Sequence, residues 1–273
     1  MGLSPDNYDS KSLSDDTSDL SLPDKETLWA TAKHPNLAIP VRRSKEALSS
    51  YESITVQPER TLYIAAKGIG LLRLPTPSPD LEIPIYYNDG TLAYQSIRGK
   101  SCSGNSVLRH PTLGDLVSTT YFFGPNREPI ITVLQDPDQR PCAKGTLEIH
   151  GKWTSRAVTF SMPDGCLYEW SYAQKRDSQR KKVNLLTLSV KESPRHNDGT
   201  AGTVIAQLMR SDEVRTPGSS RCSAGNGGQL VLDKDADRYL DESLIVATCI
   251  MMLKKEIDRR RFAQFVSLGM VVT

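Results

Sequence analysis

Leu240 to Arg261 reads LDESLIVATCIMMLKKEIDRRR, and the rest of the chain has to accommodate the apolar run inside it, Leu244 to Leu253. Asp241 is placed to cap a helix, with Glu242 in its first turn; Lys254, Lys255, Arg259, Arg260 and Arg261 gather towards the far end, so the charges oppose the helix dipole. Between them only Thr248 interrupts Leu, Ile, Val, Ala, Cys and Met, and no face of the helix is polar, as expected for a helix enclosed by protein. Ten residues rise about 15 Å, half of a hydrocarbon core of roughly 30 Å, so the run is a buried core helix and not a membrane span. Cys249, inside the run, reads as a small hydrophobe.

A helix apolar on all sides needs walls, and the chain before it offers strands. From Ile54 onward, short apolar segments alternate with turn clusters, the pattern of an all-β sandwich or barrel. Eleven strands are expected: Arg60 to Ala66, Ile83 to Tyr87, Thr91 to Ile97, Leu116 to Phe123, Ile130 to Leu134, Thr146 to His150, Ala157 to Met162, Leu167 to Tyr172, Val183 to Val190, Val204 to Met209 and Gln229 to Leu232. Asp89-Gly90 and Asp164-Gly165 are tight-turn pairs. Around the second, Val158, Phe160 and Met162 share one face, as do Tyr168, Trp170 and Tyr172, with Glu169 and Ser171 opposite. Leu71 to Pro84, with four prolines, reads as a loop leading into an edge strand. Lys67 to Gly70 reads as a turn, since its lone GxG lacks the third glycine and following helix of a nucleotide-binding loop. A barrel wrapped around its own C-terminal helix encloses the apolar run and removes sheet edges.

Ahead of the strands, residues 1–24 are acidic and Ser-rich, without the apolar content to offset chain entropy, and read as a disordered tail. Residues 1–26 hold seven acids against Lys11 and Lys25, which leaves the remainder of a chain of net charge +2 at +7. Ser12, Ser14, Ser18 and Ser21 stand among those acids, in either a plain solvated tail or a phosphorylation substrate. Residues 25–53 read as a linker with a short helix around Glu26 to Lys33; the barrel takes 54–261, and 262–273 is a tail. In that tail Phe262, Phe265, Val266 and Leu268 either pack back on the barrel or meet a membrane or partner.

Composition and motifs exclude more than they assign. Five cysteines, an odd number with no CxxC, and a polar N-terminus point to a reducing, cytoplasmic setting. The basic excess is too small, and no recognisable module is present, for a nucleic-acid binder. His34, His110, His150 and His196 show no metal-ligand spacing, and no GxSxG or GxxxxGK[ST] occurs, so neither an enzyme nor a cofactor is expected. Gly218 to Gly228 (GSSRCSAGNGG) is open to two readings, an anion-binding nest beside Arg221 or a tight connection between strands.

Two basic clusters remain. Lys175, Arg176, Arg180, Lys181 and Lys182 follow the Trp170 strand, and Lys254 to Arg261 is partly neutralised by Glu256 and Asp258. The first is either a solvated hairpin tip or a site for anionic lipid, where each cation near the surface contributes about 1 kcal/mol.

The stretch FSMPDGCLYEW at Phe160 to Trp170, followed by a strand and then by Leu240 to Arg261, resembles the tubby C-terminal-like superfamily, in particular its fungal members. The resemblance spans Ile54 to Arg261 and rests on these two stretches. It implies a mainly β fold, an antiparallel closed β-barrel of about twelve strands around a C-terminal hydrophobic helix, as in LURP-one-related proteins and phospholipid scramblases. It also implies a non-enzymatic module recognising anionic phospholipid, phosphoinositide above all, peripherally at a membrane. The alternative is a protein-protein interaction or regulatory scaffold with no lipid role. The palmitoylation tract and calcium loop of scramblases are not found in this sequence.

Overall fold

A computed structural model of the chain describes residues 57–71, 81–101, 103–123, 127–135, 145–151, 155–176, 182–192, 201–267 and 269. The acidic tail, the linker and its expected helix lie outside them.

Twelve strands form a closed barrel: β1 (Pro58–Ile69), β2 (Glu82–Tyr87), β3 (Leu92–Ile97), β4 (Ser106–His110), β5 (Gly114–Thr120), β6 (Ile130–Val133), β7 (Thr146–His150), β8 (Val158–Ser161), β9 (Leu167–Arg176), β10 (Lys182–Glu192), β11 (Val204–Met209) and β12 (Ala224–Asp233). Each pairs antiparallel with its neighbours in sequence, and β1 closes the ring on β12 through pairs such as Leu62↔Leu230. A single turn, α1 (Ala236–Tyr239), leads into α2 (Glu242–Ser267). Leu244 to Leu253 are buried to the last residue, in one cluster with inward side chains from all round the barrel, including Leu62, Ile85, Ile131, Phe160 and Leu188.

The local chemistry that builds this is simple. Gly90 and Gly165 turn at positive φ (86° and 83°), and the Asp164 carboxylate accepts from the Cys166 amide at 2.9 Å. Phe160 and Tyr168 stand opposite each other with rings stacked, centroids 5.3 Å apart. Asp241 caps α2 by accepting from the Ser243 amide at 2.8 Å. Among the described residues no helix is long and apolar enough to cross a membrane.

Several expectations need correction. The twelfth strand is β4, where only Leu108 is buried and no apolar alternation marks it. Lys67 to Ile69 belongs to β1, in which Gly68, at φ 67°, follows a register irregularity between Ile64 and Lys67. β2 is no edge strand, since it pairs on both sides; β1 meets it only from Ile85 to Tyr87, so the missing N–H of Pro84 leaves no gap there. β12 begins at Ala224, taking in glycines assigned to a connection. Gly227 lies against the Ile64 backbone, and at Gly225 (φ 72°) a Cβ would meet Ile257 and come 2.7 Å from the Leu253 carbonyl oxygen. Those glycines therefore let β12 press against β1 and the helix. α2 runs to Ser267, so the basic residues fall short of its last turn, which holds no cation, and Phe262 to Val266 are helical.

Candidate anion-binding end of the barrel

In an antiparallel barrel whose strands follow chain order, the connections alternate between two ends. The odd strands finish, and α2 emerges, at one of them. Across its six connections and α2 from Lys254 on, the described side chains include twelve Lys or Arg and five Asp or Glu. At the opposite end the described connections and the start of α2 carry Lys234 and Arg238 against Asp89, Asp164, Asp235, Asp237, Asp241 and Glu242. Among the described residues the two ends thus differ in sign, and the cationic end is the one that favours anions.

A cleft of about 460 Å³ opens at the cationic end between β9, β10, the β11–β12 connection and α2. Arg156, Arg210, Arg221, Arg259 and Arg260 line it, against Asp212, Glu213 and Glu256. Arg210 and Glu256 form its floor as an ion pair at 2.8 Å, their side chains only 8% and 12% exposed. Burial alone would raise the Glu256 pKa. The Arg210 charge and hydrogen bonds from Arg210, Tyr172 and the Gly225 amide outweigh it and hold the carboxyl below its ordinary value. Tyr172 forms the wall, with the guanidinium carbons of Arg156 and Arg210 at 6.0 and 5.9 Å from its ring centroid.

The remaining arginines are placed by backbone and loop contacts. Arg259 donates to the Ser155 carbonyl at 3.1 Å, tying α2 to the β7–β8 connection. Arg221 and Arg215 share Asp212. The connection carrying them folds over the outside of the barrel: Val214 packs with Val183, Leu185, Met209 and Val231, and the Thr216 hydroxyl donates to the Ile64 carbonyl at 3.3 Å. Arg260 lines the cleft with its Nη1 buried and without a hydrogen-bond partner among the described residues. Guanidinium groups converging on one cleft suit phosphate or carboxylate, which they meet with paired N–H donors.

Three residues of the basic cluster run beside this site by their backbone. Gln174 and Val183 both line it, and next to them lie Lys175, opposite Val183, and the pair Lys182↔Arg176. The side chains of Lys175, Arg176 and Lys182, with the whole of Arg180 and Lys181, lie outside the described residues. Arg221 stands in the cleft, but the Gly218 to Gly228 stretch resolves into connection and strand. Arg156 and Arg210 carried no sequence signal, since closure of the barrel alone brings them beside α2.

Elsewhere the described histidines have structural partners. His110 Nδ1 accepts from the Thr112 and Leu113 amides in the β4–β5 turn, and His150 lies between Glu128 and Glu148; His34 and His196 lie outside the described residues. No cluster among the described residues has the composition of a metal site. Cys166 and Cys249 are buried free thiols and Cys222 is exposed. In comparisons with family models, curated proteins and solved structures, no match was found.

Proposed function

We propose that this chain is a non-enzymatic binding module that recognises anionic phospholipid, phosphoinositide in particular, peripherally at a cytoplasmic membrane surface. The observation that carries the reading is the segregation of charge between the two ends of the barrel, with five arginines converging on one cleft at the cationic end. A plane of negative headgroups attracts such an end, orients the barrel axis towards the bilayer and leaves the acidic end in solution. Within that contact the cleft offers a headgroup phosphate the guanidinium groups of Arg260 and of the exposed Arg221, and the backbone of Lys175, Arg176 and Lys182 runs beside it. The resemblance to tubby-like domains points the same way.

Co-sedimentation with neutral and anionic vesicles is the test. Binding to anionic vesicles alone, falling steeply with salt, is the expected result. Arg156→Ala/Arg260→Ala, and separately the replacement of Lys175, Arg176, Arg180, Lys181 and Lys182 by Ala, should each weaken it. Equal pelleting with both kinds of vesicle, or variants that bind as tightly as the parent, would refute the proposal.

A further inference from the structure

Eight large apolar side chains are exposed among the described residues, and six of them, Leu71, Leu81, Phe122, Phe123, Ile130 and Val266, lie at the cationic end. Apolar surface in water is unfavourable anywhere, so its concentration at one end of a barrel marks a surface that meets something other than water. Three of them belong to one connection: Phe122 and Phe123, 39% and 49% exposed, lie in the β5–β6 connection, and Ile130, 43% exposed, opens β6 at its end.

Phe122 and Phe123 stand on a fixed stem. Tyr121, the residue before them, is buried. Its amide donates to the Asn105 side chain at 2.9 Å, and its ring lies 5.2 Å from the Lys254 ammonium. Gly104 packs so closely that a Cβ there would come 2.8 Å from the Tyr121 carbonyl oxygen. On the far side of the connection Ile130 is held in register opposite Thr120. Two phenyl rings are thus presented outward by a rigid base, so little ordering entropy is lost when they are buried.

We infer that Phe122 and Phe123 form a wedge that enters the headgroup and acyl boundary of an anionic bilayer, the cations of the barrel end holding the surrounding lipid. The inference rests on the anionic-membrane reading above and adds a second, apolar component to it. Charge complementarity selects the occupant. Arg127 lies in the same connection as the rings, with Glu128 beside it, and on α2 Lys254, over Tyr121 and paired with Asp258 at 3.3 Å, is followed by Lys255, at an end of the barrel where cations outnumber acids among the described residues. Exposed aromatic rings at the cationic end of the barrel match the layered chemistry of an anionic membrane surface, apolar below and negatively charged above.

The full chain and vesicles of phosphatidylcholine, alone or mixed with phosphatidylserine, provide the test. Preference of the wild type for mixed vesicles reports on the electrostatic reading, and its absence overturns both proposals. The double variant Phe122→Ser/Phe123→Ser reports on the wedge. It should melt like the wild type and keep the preference for mixed vesicles. Its partitioning should fall about tenfold or more, from the apolar area no longer buried, and the salt-resistant part of binding should vanish. Partitioning equal to the wild type overturns the wedge and leaves the electrostatic reading standing. A change confined to self-association in size-exclusion chromatography also overturns it, assigning the rings to contact between copies. In Phe123→Trp, emission in excess of the wild type should be quenched by brominated acyl chains; an unquenched signal counts against insertion.

Discussion

The indole N–H of Trp170 donates to the hydroxyl of Thr248 at 3.0 Å, and that hydroxyl in turn lies 2.7 Å from the carbonyl of Leu244 one turn earlier in α2. Both side chains are fully buried. The single polar residue in the apolar run is therefore the point at which β9 is fastened to the helix.

Replacing Thr248 by Val keeps the shape and leaves the indole N–H without an acceptor in a dry interior. The expected loss is about 1–3 kcal/mol, read from urea or thermal unfolding. Thr248→Ser retains the acceptor and removes one methyl, so it should cost less than Thr248→Val. The reverse order would show that packing, not the hydrogen bond, matters at this position.

Val246→Asp places a carboxylate where the wild-type side chain is wholly enclosed. No cation is available among Leu244 to Leu253 to pair with it. The chain should fail to fold, as seen by loss of the cooperative transition in circular dichroism. A folded Val246→Asp protein would contradict the enclosed helix.

Gly225→Ala adds a Cβ that meets Ile257 and the Leu253 carbonyl at a residue held at φ 72°. Left-handed backbone strain and overpacking together should destabilise the fold by about 2–4 kcal/mol. Gly218, also at positive φ but with nothing within 4 Å of its Cβ direction, should lose only the backbone contribution, about 1–2 kcal/mol, on the same change. Comparing the two by chemical denaturation separates strain from clash.

At the floor of the cleft, Arg210→Met leaves the Glu256 carboxylate buried without its cation, at an expected cost of about 3–5 kcal/mol. Arg210→Met/Glu256→Leu should be more stable than that single variant. The pH dependence follows from the sign of the shift. In the wild type the Glu256 pKa is lowered, so its contribution is complete above the unfolded value of about 4.3 and is lost as pH falls through the folded value. In Arg210→Met the largest opposing influence is gone and burial raises the pKa instead. The deficit of the variant should then shrink on acidification, which unfolding curves across mildly acidic pH would reveal.

How far the sequence foretold this molecule depends on the range over which each signal acts. β7, with one buried face, and β11, buried on both, matched their expected limits because alternation and apolar density are local properties. β4 escaped notice because SVLRH buries only Leu108. The strand limits at β12 were misplaced because glycine weakens strand propensity, and here it is required by the approach of β1 and α2, a fact of tertiary packing. The site behaves likewise. Arg259 and Arg260 were noticed as part of a charge run, whereas Arg156 and Arg210 are isolated in sequence and meet only when the ring of strands closes.

The order of elements along the chain also bears on how the protein is made. All twelve strands precede α2, yet the inner faces of those strands are covered by its side chains. During synthesis the sheet emerges before its filling, and the closing partners β1 and β12 are themselves far apart in sequence. Until Leu244 to Leu253 arrive, the nascent barrel exposes its apolar lining and unpaired strands, the two features that drive aggregation. Folding of the barrel must therefore wait for the synthesis of α2, and until then the unfilled sheet is the species that chaperones would have to hold.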